Sequence, residues 1–247
     1  VWPGWGFVAE HPAFADMIEE MGLVFVGPSG DVMRALGDKV RARAVAESAG
    51  VPVIPGTGAV TDVEEVRQFA NENGLPILIM AAHGGGGRGM RVVHDASEIE
   101  EAYRSARSEA KASFGSDEIF VERFIERPRH IEVQLVCDQH GNRVHFFERD
   151  CSIQRRHQKV VELAPAPNLD DLTRRKLWDY SLALANEVGY SSVGTAEFLI
   201  EERDGRTDCY FIEVNTRIQV EHTVTEMVTG YDLIQTMIRV AEGHRLS

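Results

Sequence analysis

A strict apolar–polar alternation in Ile131-Glu132-Val133-Gln134-Leu135 is the feature that most restricts how this 247-residue chain can fold. Successive side chains of a strand point to opposite faces, so the run predicts a half-buried strand with one apolar and one polar face. The turn at 138–142 and a strand at 144–148 complete a hairpin with it. Further strands are expected at 197–200 and 210–215, joined by a charged loop around Asp204-Gly205. A helix over 171–188 places Leu177, Tyr180, Leu184, Ala185 and Val188 on one stripe that can cover such a sheet.

Upstream, short strands near Val1 and at 23–26 flank a helical pattern, and a helix over 31–47 carries Lys39 and is closed by Gly50 and Pro52. Alternation of this kind reads as α/β (α+β). Residues 51–58 hold two prolines and two glycines and predict a hinge. A smaller lobe follows. Thr61-Asp62-Val63-Glu64 has the form of a capping box, and its helix ends at Gly74. A strand at 76–80, a glycine run at 84–89, a strand at 90–93 and a helix from near Ser97 complete a unit suited to a mobile lid. The expected division is 1–53, 54–125 and 126–247.

Composition narrows the function classes. The hydrophobic fraction of 43% is ordinary for a globular chain, and no uninterrupted apolar run of about 18 residues exists to cross a membrane. A formal net charge of -13 argues against nucleic acid as the main partner, although Arg155, Arg156, His157 and Lys159 form one basic patch. Cys137, Cys151 and Cys209 are odd in number and widely spaced, which fits a reducing, cytosolic setting better than a disulfide framework. The chain opens at Val1 on a compact Pro-Gly-Trp-Gly segment without an initiator methionine, as expected of a fragment whose first strands lie upstream.

Four constellations carry candidate chemistry. The run His83-Gly84-Gly85-Gly86-Gly87-Arg88-Gly89 follows a strand and could crowd backbone amides around phosphate, with Arg88 adding charge. It matches neither GxxxxGK[ST] nor GxGxxG, and a flexible turn is the commoner use of such a run. A hairpin centred on Gly205 sets Glu197 opposite Glu213, with Asn215 on the same face; two facing carboxylates call for a hard cation such as Mg²⁺ carrying phosphates. Solvated edge-strand acids are the plain alternative. In Thr216-Arg217-Ile218-Gln219-Val220-Glu221-His222 an extended backbone puts Arg217, Gln219 and Glu221 on one side, a cation beside a proton acceptor. The block from Asp150 to Lys159 reads as a solvated polar face or loop, and His130 as structural or functional alike.

The stretches GGGGRGMRVV, PRHIEVQ, ERDCSIQRRHQKVVE, FIEVNTRIQVEH and VTEMVTG closely resemble the biotin carboxylase component of biotin-dependent carboxylases, of pyruvate carboxylase or acyl-CoA carboxylase type. The likeness runs along nearly the whole chain in family order. It implies an ATP-grasp fold with a small mobile lid and a truncated N-terminal Rossmann-like domain. It also implies ATP, Mg²⁺ (or Mn²⁺) and biotin, the last on a separate carrier domain, since the chain has no Ala-Met-Lys-Met motif.

By the same resemblance Lys39, Glu122, Ile125, His130 and Gln154 would contact the nucleotide, with Gly84, Gly85, Gly86, Gly87, Arg88 and Gly89 closing over its phosphates. Glu197, Glu213 and Asn215 would hold the metal. Arg217 would bind bicarbonate, Glu221 would deprotonate it, and Lys159 would assist. His157, Lys159, Gln219, Val220 and Gly6 would complete the bicarbonate and biotin pocket. Implied partners are bicarbonate, the biotinylated carrier, a carboxyltransferase domain or subunit and further copies of the parent chain, with no nucleic acid and no membrane. The compartment would be cytoplasmic, or the mitochondrial matrix in a eukaryote.

Two departures stand out: Met80 occupies a position where the family has lysine, and Trp5 replaces a tyrosine. Met80 and the missing ends raise the alternative of a nucleotide-binding module with weak or no turnover. Another ATP-grasp ligase, making carbamoyl phosphate or a purine intermediate, is a third reading.

Overall fold

The computed structural model describes residues 1–81, 90–156, 158–203 and 205–246. After a short 3-10 turn at Phe7–Glu10 come helices α1 (Pro12–Glu20), α2 (Gly30–Leu36), α3 (Lys39–Ser48) and α4 (Val63–Asn73). Strands β1 (Ile77–Ala81) and β2 (Arg91–Val93), helix α5 (Ile99–Phe114) and strand β3 (Ile119–Arg123) follow. The remainder runs β4 (Arg129–Cys137), β5 (Arg143–Arg155), β6 (Gln158–Leu163), α6 (Asp171–Glu187), β7 (Ser192–Arg203), β8 (Arg206–Asn215), α7 (His222–Thr229) and α8 (Leu233–Ala241). Two compact units result, Val1–Val53 with Pro128–Ser247, and Ile54–Arg127. The mixed helix and sheet content expected from the sequence is present.

The first unit is built on an antiparallel sheet of order β6-β5-β4-β7-β8. Alternation sorts its two faces. Ile131, Val133, Leu135 and Cys137 of β4 join Ala196, Phe198, Ile200, Phe211 and Val214 against Val32, Leu36, Ala42 and Ala46 of α2 and α3 and Leu177, Leu184 and Ala185 of α6. The opposite face is apolar only at one end, where Val136 and Val193 meet Ile218, Leu233 and Met237. The rest of that face carries Glu132, Gln134, Thr195 and Glu197, all buried.

Two one-residue irregularities in this sheet decide which polar residues meet. In β5 the register against β4 shifts between Val133 and Leu135, near Phe147 with φ 60, so Glu132 pairs with Arg149. In β8 the shift between Glu197 and Phe198 leaves Ile212 unpaired, so Glu197 pairs with Glu213. Because side chains alternate, a ladder continued without these bulges would set Glu132 against Glu148 and Glu197 against Ile212. The Glu197–Glu213 pairing anticipated from the sequence is present, but the bulge produces it.

The second unit has a three-stranded antiparallel sheet, β2-β1-β3. One face packs Ile77, Ile79, Val93, Ile119 and Val121 on Val66, Phe69 and Ala70 of α4 and on Ile99, Tyr103, Ala106 and Ala110 of α5. Met80 and Phe120 pair across β1 and β3 and cluster with Leu78 and Met90. The glycine run and Arg88 lie outside the described residues.

Several expectations need correction. The helix expected over 31–47 is two helices: Gly37 closes α2 by donating to Met33, and the Asp38 side chain accepts from the Arg41 amide to open α3, whose first residue is Lys39. The capping box sits one residue later, between Asp62 and Glu65, and Glu65 also accepts from the Thr61 amide and hydroxyl. The segments near Val1 and 23–26 form no named strand; the Val26 amide donates to the Val1 carbonyl at 2.9 Å. The block read as a polar loop is the end of β5 and the start of β6. Leu177 is fully enclosed between α6 and the sheet. Leu177→Ala is therefore expected to lower stability by about 2–5 kcal/mol in urea unfolding.

Candidate functional site

The polar face of the first unit carries a row of charge across four adjacent strands. Register places Arg149 of β5, Glu132 of β4, Glu197 of β7 and Glu213 of β8 side by side. Arg149 and Glu132 have no solvent exposure, and Arg149 Nε donates to Glu132 Oε1 at 2.5 Å. The remaining Arg149 donors reach Gln134 Oε1 at 2.7 Å, Thr225 Oγ1 at 2.8 Å, Gln219 Oε1 at 3.1 Å and Thr195 Oγ1 at 3.4 Å. A guanidinium is a rigid five-donor fork, so one buried residue ties β5 to β4, β7, α7 and the segment after β8.

Lys159, near the start of β6, reaches the same row. Its ammonium donates to Glu132 Oε2 at 2.5 Å, Glu197 Oε1 at 2.8 Å and Glu221 Oε1 at 2.8 Å. Burial works against the charged amine, but the three carboxylates outweigh it and hold the Lys159 pKa well above the usual lysine value. Glu197 collects four donors: Lys159, Asn215 Nδ2 at 2.7 Å and Gln219 Nε2 at 2.9 Å on Oε1, and His130 Nε2 at 2.6 Å on Oε2. Burial opposes ionisation there too, yet the His130 hydrogen bond and the Lys159 charge keep the Glu197 carboxyl well below its ordinary range.

The Glu221 carboxyl is also lowered, because the Lys159 ammonium overcomes the penalty of burial. Glu213 moves the other way. Loss of surrounding water first, and the facing Glu197 charge second, push its pKa up. Gln154 Nε2 donates to His130 Nδ1 at 2.8 Å, which leaves the proton of the neutral ring on Nε2, facing Glu197. The Glu197 carboxylate prevails over burial and raises the His130 pKa.

Arg217 stands at the edge of this cluster. Its Nη2 donates to Asn215 Oδ1 at 3.1 Å and its Nε to Glu10 Oε2 at 2.8 Å. Glu10 Oε1 accepts from the Thr216 amide at 3.1 Å, so one carboxylate from the 3-10 turn fixes both the backbone and the side chain of the 216–217 bend. The segment 216–221 is not a regular strand, but its bends still turn Arg217, Gln219 and Glu221 toward Asn215, Glu197 and Lys159. His222 Nδ1 lies 2.7 Å from the Gln219 carbonyl where α7 begins.

Of the residues singled out from the sequence, His130, Gln154, Lys159, Glu197, Asn215, Arg217, Gln219 and Glu221 thus form one hydrogen-bonded cluster, with Glu213 joined through the strand register. Lys39 opens α3 in the same unit, Val220 is exposed beside Gln219, and Gly6 precedes the 3-10 turn. Glu122 and Ile125 are buried in the second unit, where Glu122 pairs with Leu78. His157 lies outside the described residues. Sequence reasoning missed Glu10, Glu132 and Arg149. Glu132 was visible only as a polar position of an alternating strand, Arg149 fell between the expected strand at 144–148 and the block from Asp150, and Glu10 gave no local signal.

The set has the character of a hard-cation site. Glu132, Glu197 and Glu221 pair with Arg149 and Lys159, and Glu213 faces Glu197 with the Lys39 charge acting on it, so four carboxylates crowd one face. The donor atoms of His130, Glu132 and Glu197 lie within 4.8 Å of one another. The closely spaced carboxylate oxygens of this set suit a Mg²⁺-like ion.

Comparison with known proteins gives the class. The profile of the carbamoyl-phosphate synthase L chain, ATP binding domain, matches residues 38–247, and that of the biotin carboxylase N-terminal domain matches residues 1–33. The chain belongs to this ATP-binding family and has its ATP-grasp fold. Within the family it groups with the biotin carboxylase domains of biotin-dependent carboxylases, the resemblance read from the sequence.

Human mitochondrial pyruvate carboxylase is 57% identical over 247 residues, which are 100% of this chain and 21% of that protein. A biotin carboxylase from Campylobacter jejuni superimposes with a TM-score of 0.93 at 48% identity, over 100% of this chain and 55% of that one. The biotin carboxylase domain of the Hydrogenobacter thermophilus 2-oxoglutarate carboxylase, solved with MgADP, ADP and bicarbonate, gives 0.92 at 47% identity, over 99% and 54%. The chain thus spans about a fifth of the length of the pyruvate carboxylases it matches. No described helix is long and apolar enough to cross a membrane.

Removing Arg149 takes the donor from Oε1 of the fully buried Glu132 and leaves it Lys159 alone. Arg149→Met is expected to cost about 3–5 kcal/mol, read from chemical denaturation.

Proposed function

We propose that this chain is the ATP-grasp core of a biotin carboxylase, which uses ATP to activate bicarbonate and carboxylates biotin presented by a separate carrier domain. The observation that carries the reading is the convergence of Glu221, Lys159 and the Glu197–Glu213 pair on one buried face. Glu197, Glu213 and Asn215 would hold Mg²⁺ or Mn²⁺, whose charge would neutralise nucleotide phosphate. Lys39, His130, Gln154, Glu122, Ile125 and the glycine run with Arg88 would hold ATP.

Glu221 is suited to accept the bicarbonate proton. Its carboxyl is ionised at neutral pH and lies beside one cation, Lys159, which is linked to a second, Arg217, through Glu197 and Asn215. Arg217 and Lys159 orient the anion so that a carboxylate oxygen attacks the γ-phosphorus and the β–γ bridging P–O bond breaks. ADP leaves, and carboxyphosphate forms. It then releases CO₂ and phosphate, and CO₂ bonds to the ureido nitrogen of biotin as the nitrogen's proton passes to the departing phosphate. His157, Gln219, Val220 and Gly6 would shape that pocket. The parent protein would pair this unit with a carrier and a carboxyltransferase, form homo-oligomers, and work in the cytoplasm or the mitochondrial matrix.

Bicarbonate-dependent ATP cleavage stimulated by free biotin, assayed in the full-length parent, tests the reading. Glu221→Gln is expected to lower that rate by roughly 10²–10⁴-fold. An unchanged rate would remove Glu221 from the reaction. Met80 lies in an apolar cluster with Phe120, and a lysine there would add a cation toward phosphate. Met80→Lys is expected to tighten ATP binding about tenfold or more, measured by calorimetry.

A further inference from the structure

The cluster described above is saturated with its own hydrogen bonds, and this limits the order in which it can be used. An ammonium has three N–H donors and no acceptor. Lys159 spends all three on Glu132, Glu197 and Glu221. As arranged, it has no donor left for an anion. Arg217 commits three of its five N–H donors, Nε to Glu10, Nη1 to the Ile218 carbonyl and Nη2 to Asn215 Oδ1.

The three Lys159 contacts are not equally easy to give up. Glu132 is fully buried and locked through its other oxygen to Arg149. Glu221 is the group beside which an anion must arrive. Glu197 is different, because it faces Glu213, another carboxylate. A dication shared by Glu197 and Glu213 would supply the charge that Lys159 now supplies to Glu197, and would repel the ammonium. Asn215 acts in the same sense. Its Nδ2 is turned to Glu197 and its Oδ1 to Arg217. Offering Oδ1 to a cation beside Glu197 means reversing the amide, which frees an Arg217 N–H.

We propose that Glu197 is a positioning residue that holds Lys159 in reserve, and that a divalent cation at Glu197 and Glu213 releases it for a bicarbonate-sized anion, with the turn of Asn215 freeing one further Arg217 N–H. Cation and anion therefore bind with positive cooperativity, and Lys159 carries the coupling. This rests on the metal assignment of the proposed function. Linkage is reciprocal, so bicarbonate must tighten the cation by the same factor.

The test titrates Mn²⁺ into this chain, with free Mn²⁺ followed by electron paramagnetic resonance, in the presence and absence of bicarbonate. Bicarbonate is expected to lower the Mn²⁺ Kd about tenfold, within the usual range of such couplings. In Lys159→Met, Mn²⁺ alone should bind at least as tightly as in the parent, because a competing cation is gone, and the bicarbonate effect should vanish; comparison with this variant also corrects for direct Mn²⁺–bicarbonate complexes. Survival of the effect in the variant, or its absence from the parent, overturns the coupling. Should the variant fail to fold, a protein-free titration of Mn²⁺ with bicarbonate supplies the same correction to the measurement on the unmodified chain. Glu213→Gln separates the two layers. If it leaves Mn²⁺ affinity untouched, the metal assignment itself fails; if it weakens Mn²⁺ while the parent shows no linkage, only the coupling fails.

Discussion

The Arg149–Glu132 pair is the contact on which the rest of the first unit's polar face depends. Burying two charges is expensive and is tolerated only when every donor and acceptor is used. Here the guanidinium is spread over Glu132, Gln134, Thr195, Gln219 and Thr225, so the cost of desolvating it is offset by contacts from four parts of the chain. The pair also fixes Glu132 as the immovable wall against which Lys159 rests. Without it Lys159 alone would bridge the carboxylates of the row.

Function and stability are in tension across this row. Glu197 is ionised because His130 and Lys159 surround it, whereas Glu213 is raised because Glu197 faces it. One carboxylate is over-satisfied and its neighbour under-satisfied. A surface that only needed to be stable would place an apolar or cationic residue opposite Glu197. The retained imbalance suits a site that takes up a dication when it works.

Much of this was legible from the residues alone. The alternation at 131–135 and the stripe of α6 follow from side-chain periodicity, which is a local property, whereas the opposition of Glu197 and Glu213 depends on a bulge that periodicity does not report. The helix over 31–47 was misjudged because Gly37 and Asp38 act as caps only when the flanking turns diverge, and propensity does not report that divergence. Glu132 falls on the polar face of its strand because alternation distinguishes two faces but does not say what covers the second, and Arg149 lies between the expected strand at 144–148 and the polar block from Asp150. Here the covering comes from Lys159, Gln219 and Thr225, which are distant in sequence. Glu10 meets Arg217 across 207 positions, a distance over which no local pattern speaks.

The two bulges also separate the length of the hairpins from the chemistry at their base. Adding one residue to each arm of the β7–β8 hairpin beyond Ile212 would lengthen its exposed tip and leave the Glu197–Glu213 partnership intact. Adding a residue to one arm alone would exchange the inward and outward sets, unless the bulge moved to absorb it. The tips are thus free to vary in paired steps, and lineages could decorate them at will. The parity of the chain between turn and bulge is what the chemistry holds constant.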